Sequence, residues 1–321
     1  MDLLDINHVR KLLADSTQAV IGVSGGLDSM SILCWLAAHR AEIPCEIRAM
    51  HIDHGINANS GEWAEFVSRK CEQLNIHCTV VKVSLEGLGN NLEYAARKAR
   101  YQAFCESGAD TIILAHHAND QCESFLLKLF RGSGIRGLKS MVDRSQCWYD
   151  QAVTVVRPML DVTRSQIESW AEENDVIGVE DPSNLDNKYD RNYIRNCVWP
   201  TIMDRFGIAD VNTIRSIGHL DEAWQLISAL ADMDLAAITL QDGSLDWPTM
   251  QELGYLRIKN LLLRLMAKEG VYSFSIGQIE QFAQGLLTAD MDNRNQISVK
   301  GLTLHKIGKR VYIKRQEKQA A

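Results

Sequence analysis

The sequence predicts an α/β fold built on a parallel sheet, followed by a smaller, mostly helical C-terminal domain. Three observations carry this. Short apolar, β-branched runs alternate with stretches of helical period from Ala19 to Leu160. A Gly-Gly turn joins the first run directly to a helix start. Beyond Gly207 the apolar residues recur mainly at helical spacing. Strands alternating with helices of this length imply βαβ units and a sheet covered on both faces.

Taken in order, Ala19–Val23 reads as a buried strand that breaks at Ser24-Gly25-Gly26-Leu27-Asp28-Ser29, after which Met30, Ile32, Leu33, Trp35 and Leu36 continue as a helix. Glu46–Asp53 is a second strand, Ser60–Leu74 a helix and His77–Val83 a third strand. Leu92–Cys105 is helical, Asp110–Ala115 a fourth strand and Asn119–Phe130 a helix. Val153–Leu160 is the fifth strand, and Thr163 caps a helix running to Asn174. Asp186–Arg205 is a basic–aromatic helical stretch, Asp210–Leu240 a long amphipathic helix, and Gln296–Arg315 a set of short strands. The boundary is placed near Gly207, giving a catalytic domain over 1–206 and a linker helix with a C-terminal domain over 207–321.

At 321 residues the chain is long enough for two cores, and its 46% hydrophobic and 23% charged content are ordinary for a globular protein. No apolar run reaches membrane-spanning length, and the N-terminus is amphipathic rather than a signal peptide, so a cytoplasmic location is expected. The eight cysteines include no C-x-x-C pair, which argues against a zinc ribbon, an iron–sulfur cluster or a thioredoxin-like site. The net charge is −7, but the segment from Gln296 carries seven Lys/Arg against Glu317, so it is +6 and the remainder −13. Lys128, Arg131, Arg136, Lys139 and Arg144 make a second basic stretch opposed by Asp143. An acidic chain can still offer a polyanion a basic face, and Lys306, Lys309 and Arg310 are expected to serve it.

The residues with most chemistry are Ser24–Ser29. A strand, a Gly-Gly turn and a helix start gather backbone N–H groups at the positive end of a helix dipole. Ser24 and Ser29 add hydroxyls, and Gly25 and Gly26 let phosphate approach the backbone. Asp28 would repel the anion unless a cation lies between them, so it is read as a Mg²⁺ contact. No G-x-x-x-x-G-K-[ST] motif occurs. The first, second and fourth strands end in SGG, HIDHG and HHAND, which should converge beyond the carboxyl edge of the sheet. Asp120 and Glu123, three apart, share a face of a helix start. Capping accounts for such a pair taken alone; beside a phosphate loop it becomes a candidate for binding metal or an amine.

SGGLDS resembles the pyrophosphate loop of the N-type ATP pyrophosphatases, a superfamily with an adenine nucleotide alpha hydrolase-like fold. That likeness implies attack at the α-phosphate and adenylation. With HIDHG, EYAARKARY, AHHANDQCES, RGSGIRGL, RPML, DPSN and RNYIR in this order, roughly the first 205 residues resemble the tRNA(Ile)-lysidine synthetases. The family often has Asp and Thr where Asn119 and Ser124 stand, so Asn119 is not assigned to catalysis. The resemblance implies the short, two-domain form, and a C-terminal domain that binds tRNA. It implies ATP and Mg²⁺ as cofactors, with the wobble cytidine of a CAU-anticodon isoleucine tRNA and free L-lysine as substrates; a homodimer is allowed.

The implied catalytic residues are Asp28, Asp120, Glu123 and Arg100. Ser24, Gly25, Gly26, Leu27, Asp28, Ser29, Met50 and His51 would bind ATP, with Mg²⁺ on Asp28. His116, Arg131, Arg136, Arg191 and Arg195 would contact tRNA or substrate. Whether Asp120 and Glu123 take the amine or Mg²⁺ stays open. His51, His54 and His117 are further candidates. A cytidine thiolase is disfavoured by the cysteine spacing, and a glutamine-dependent synthetase by the lack of any glutaminase signature. An RNA-binding pseudoenzyme is disfavoured by the intact loop and acid pair.

Overall fold

The computed structural model describes residues 2–55, 59–83, 92–271, 275–290, 296–299 and 302–315. They divide into two compact units, Met1–Gly218 and His219–Ala321. The division lies within a long helix, while Gly207 ends the helix before it with φ 31°.

In the first unit α1 (Ile6–Leu12) leads into β1 (Gln18–Gly22), whose Ala19, Val20 and Ile21 are buried. The loop then starts α2 (Leu27–Ala38), in which Met30, Ile32, Leu33, Trp35 and Leu36 are all fully buried. A helix apolar on nearly all sides is a core element, so the loop at its N-terminus rests on a fixed base. There follow β2 (Glu46–Asp53), α3 (Ser60–Gln73), β3 (Cys78–Lys82), α4 (Leu92–Glu106), β4 (Thr111–Ile113) and α5 (Ala118–Phe130).

The next elements depart from expectation. A short α6 (Ile135–Leu138) precedes β5 (Arg144–Gln146), and the expected fifth strand shortens to β6 (Thr154–Val156). β5 pairs antiparallel with β6; with Arg, Ser and Gln as its residues it carries no apolar signal, and only tertiary pairing makes it a strand. α7 (Arg164–Glu173) begins as expected, with Thr163 and Gln166 forming a capping box. The basic–aromatic stretch is not one regular helix. A π-turn over Ile194–Val198 joins α8 (Asp190–Tyr193) to α9 (Trp199–Phe206). α10 (Ala209–Ile238) follows.

The sheet order is β3-β2-β1-β4-β6-β5, parallel except for β5. From β1 the chain winds outward to β3, then crosses back to β4 on the other side of β1. The winding therefore reverses between β1 and β4, the place where open α/β sheets bind ligands.

The second unit holds β7 (Leu245–Asp246), α11 (Trp247–Glu252), α12 (Gly254–Lys268), α13 (Ile276–Thr288), β8 (Gln296–Val299), β9 (Leu302–Ile307) and β10 (Arg310–Arg315). Its strands form an antiparallel sheet ordered β7-β10-β9-β8, over a core that includes Leu261, Met266, Leu286 and Leu304.

The expected basic face of this unit needs correction. Lys306 is fully buried; its Nζ donates to the Asp290 carbonyl at 2.7 Å and lies 4.2 Å over the Trp247 ring. Alternation along β9 places its side chain inward with Leu302 and Leu304. Arg310 is paired with Asp242. Lys309 and Lys314 are exposed. Lys300, Glu317 and Lys318 fall outside the described residues. Among the described residues no helix is long and apolar enough to cross a membrane.

Candidate active site

The Ser24–Ser29 loop takes its shape from its own atoms. Gly25 has φ 95°, a conformation that disfavours any side chain. The Ser29 hydroxyl donates to the Gly26 carbonyl at 2.9 Å and accepts from the Ser24 N–H at 3.2 Å, so it braces the turn. Gly26 is the N-cap of α2 and provides no side-chain cap. The first-turn N–H groups have no intrahelical partner and form an anion cradle.

A strap holds this loop from outside. The Val179 N–H donates to the Gly25 carbonyl at 2.9 Å. A Cβ on Gly178 would lie 2.4 Å from the Leu27 nitrogen, so only glycine lets the two backbones approach this closely. Gly178 escaped the sequence reading, because an isolated glycine between apolar residues looks like any loop position.

Beside the loop lies a cavity of about 500 Å³, lined by Ser24, Met50, His51, Trp63, Arg100 and Phe104 among others. His51 is buried and its Nδ1–H donates to the Val23 carbonyl at 2.8 Å, tying β2 to the end of β1. Arg100, on α4, reaches the cavity with its Nε buried and, among the described residues, without a hydrogen-bond partner. Burial lowers its pKa, and the like charges of Arg97 and Arg191 add to this against the opposing effect of Tyr101. A buried cation with an unmet donor is a fit for phosphate. The cradle, the cavity and Arg100 together suit a nucleoside triphosphate.

Asp28, in the first turn of α2, lies between two partners. Its Oδ1 accepts from Arg164 Nη1 at 2.7 Å, and its Oδ2 lies 3.7 Å from His117 Nε2. Arg164 was missed in the sequence. It is the first residue of α7, where the helix dipole disfavours a cation, and that misfit is the signal that could have found it. Arg164 supplies a cation beside Asp28, the charge that the sequence argument had assigned to a metal. For Mg²⁺, which takes one or two carboxylates with phosphates and water, the Oδ2 edge of Asp28 fits.

His117 caps α5. Its Nδ1 accepts from the Asn119 N–H at 3.2 Å, while its own backbone N–H donates to Asp120 Oδ2 at 3.1 Å. With Nδ1 accepting, Nε2 carries the proton, and it faces Asp28 Oδ2 at 3.7 Å and Asp120 Oδ2 at 3.6 Å. Asn119 is structural: its Oδ1 accepts from the Arg164 N–H at 2.9 Å.

Asp120 and Glu123 share the buried face of α5, as their spacing requires. Two arginines close on them from α8 and the π-turn. Arg191 donates to Asp120 Oδ1 at 2.6 Å and to Glu123 Oε2 at 2.9 Å. Arg195 donates to Glu123 Oε1 at 2.6 Å, Glu123 Oε2 at 2.9 Å and Asp120 Oδ1 at 3.2 Å. Burial pushes the Asp120 carboxyl up, but His117, Arg191 and the His117 backbone N–H hold it below the usual range. Burial pushes the His116 ring down to about 3; Asp120 opposes this, and nearby Arg157, Arg191 and Arg100 add to it. It is therefore a neutral ring at neutral pH, and among the described residues its Nδ1 has no partner. The structure thus gathers Asp28, His117, Asp120, Glu123, Arg191 and Arg195 into one connected group beside the cavity. Arg131 stands apart at an exposed rim, paired with Asp190 at 2.9 Å, and Arg136 lies on α6.

Residues 4–202 match the PP-loop domain family. The chain is 33% identical over 297 residues to a tRNA(Ile)-lysidine synthase of Haemophilus ducreyi, covering 92% of this chain and 68% of that protein. It is 34% identical to one of Histophilus somni, covering 97% and 73%, and 31% identical to one of Nitrosomonas europaea, covering 93% and 65%. Among solved structures, the U34-tRNA thiolase NcsA from Methanococcus maripaludis shares the fold, with a TM-score of 0.55 and 17% identity over 68% of this chain and 78% of that one. By domain match and by identity along nearly its whole length, the chain belongs to the tRNA(Ile)-lysidine synthase family of PP-loop proteins.

Proposed function

We propose that the protein joins free lysine to C2 of the wobble cytidine of a CAU-anticodon isoleucine tRNA, through an adenylated tRNA, giving lysidine. The observation that carries this is the link across the switch point: His117 bridges Asp28 of the phosphate loop to Asp120 of the acid pair, at 3.7 and 3.6 Å. Activation and capture sites are thereby adjacent.

In the first step the C2 oxygen of cytidine attacks the α-phosphate of ATP, and pyrophosphate leaves with the bonding electron pair. The loop N–H groups and Arg100 stabilise the charge on the departing oxygens. Mg²⁺, held by Asp28, would add positive charge there. In the second step the lysine ε-amine attacks C2, and AMP departs with the former carbonyl oxygen. A free lysine amine has a pKa of about 10.4 and must shed a proton to attack. Asp120 and Glu123 would bind the ammonium and accept that proton. For this Arg191 and Arg195 must give way, so the four-residue cluster is a resting state in which guanidinium groups stand in for the substrate cation. The phosphates of bound tRNA provide the alternative partner for both arginines. We assign the protein to the cytoplasm, where tRNA and ATP are found.

The test is formation of AMP and of lysidine-containing tRNA from labelled lysine and a CAU-anticodon tRNA. Asp28→Ala should abolish AMP formation in a folded protein, whereas Glu123→Gln should still adenylate but resolve the adenylate slowly. Failure of Glu123→Gln already at adenylation would move Glu123 to Mg²⁺ binding. Lysidine formation by wild type without ATP consumption would refute the scheme.

A further inference from the structure

The hairpin that joins β5 to β6, unexpected from sequence, brings Trp148 and Tyr149 against α4. Trp148, Tyr149 and Tyr94 are 45%, 38% and 55% exposed. They form a contiguous set: Tyr94 to Trp148 is 6.2 Å between ring centroids, and Trp148 to Tyr149 is 6.0 Å at 90°. Below them lies the buried Tyr101, 5.5 Å from Trp148 and packed edgewise on Phe104 at 6.3 Å. The exposed rings therefore stand on a rigid base. Large aromatic rings left in water as a group mark a binding surface rather than a core.

The surroundings are cationic. Arg97 lies 5.4 Å over the Tyr101 ring, and at position i+3 from Tyr94 it shares that face of α4. Lys128 is held below its ordinary pKa by burial and then by the like charges of Lys139 and Arg97. The acid of the hairpin tip, Asp150, is turned to the backbone N–H of Ala152 at 2.9 Å. The patch also continues into the active site, because Arg100, one turn from Arg97 on α4, lines the nucleotide cavity.

We infer that Tyr94, Trp148 and Tyr149 form a stacking platform for unpaired nucleobases flanking the reacting base, with Arg97, Lys128 and Lys139 meeting the adjacent phosphates. This rests on the reading of an RNA substrate given above. Stacked rings with a flanking cation, here Arg97 over Tyr101, are the features that single-stranded nucleic acid uses, whereas an apolar protein partner would gain nothing from that charge.

The experiment measures binding of a short CAU-loop hairpin RNA, and of a fully paired RNA of equal length, by fluorescence anisotropy. Trp148→Ala and Tyr94→Ala should each weaken hairpin binding about 5- to 100-fold, with binding of the paired RNA and of ATP unchanged. Trp148→Phe, which keeps a ring, should retain most affinity and guards against misfolding. Replacing Arg97, Lys128 and Lys139 together should flatten the salt dependence by about 0.7 per lost phosphate contact. Hairpin binding by wild type that survives Trp148→Ala unchanged overturns the platform and leaves the proposed reaction standing. Absence of RNA binding by wild type, or recovery of affinity only for a protein partner, overturns the platform and the reaction's substrate together.

Discussion

Replacing Arg195 with alanine should destabilise the first unit by about 2–3 kcal/mol. Glu123 is only 3% exposed, and Arg195 donates three of the five hydrogen bonds that the two guanidiniums make to the acid pair. After the substitution Glu123 Oε1 loses its 2.6 Å donor, while Oε2 keeps Arg191 at 2.9 Å. Removing one partner of a fully buried pair costs about 3–5 kcal/mol. Arg195 is 37% exposed, so water can enter the vacated space and reduce that cost. The assay is urea unfolding followed by tryptophan fluorescence and circular dichroism, repeated in a Glu123→Gln background. In that background the same substitution should cost about 1 kcal/mol or less, giving a coupling energy of about 1–2 kcal/mol. A loss under about 0.5 kcal/mol, or additive losses in the double variant, would refute a buried, mutually dependent cluster. The two arginines would then be surface charges, free to contact RNA at no internal cost.

Gly178→Ala should raise the KM for ATP at least about tenfold with little change in melting temperature, since the new Cβ, 2.4 Å from the Leu27 nitrogen, must displace the phosphate loop. Unchanged ATP binding would show that the strap does not set the loop. His116→Gln should flatten the acid side of the stability curve. In the folded chain the ring stays neutral down to about 3, whereas an unfolded histidine takes its proton near 6.5, so the unfolded state binds the extra proton between these values. Wild-type stability then falls as pH drops below 6.5, by up to about 1.4 kcal/mol per unit from this group. Equal slopes in wild type and variant between pH 6.5 and 4 would contradict the neutral ring. Lys306→Ala should destabilise the second unit through the lost Asp290 and Trp247 contacts, while leaving the salt dependence of tRNA binding unchanged; a reduced salt slope would show the side chain reaching phosphate instead.

Much of this protein is written locally. The β1–loop–α2 unit is legible because a β-branched run, two glycines and an apolar helical pattern each dictate backbone conformation over a few residues. The shared face of Asp120 and Glu123 follows from helical spacing alone. The Thr163 cap followed from its side chain, and β2 was legible over its full span, Glu46–Asp53. What stayed hidden depends on groups distant in sequence. β5 is a strand only because β6 lies beside it. Arg164 and Asp28 meet across two helix starts, and Gly178 matters only where a second backbone touches it. Lys306 counts as surface charge in composition, yet its place in the strand alternation turns it inward over Trp247. Sequence determined the conformation of most segments, because propensity and periodicity act over one or two turns of chain. Tertiary structure decided which charges face each other, because Coulomb energy and burial depend on distances between elements that no local pattern encodes.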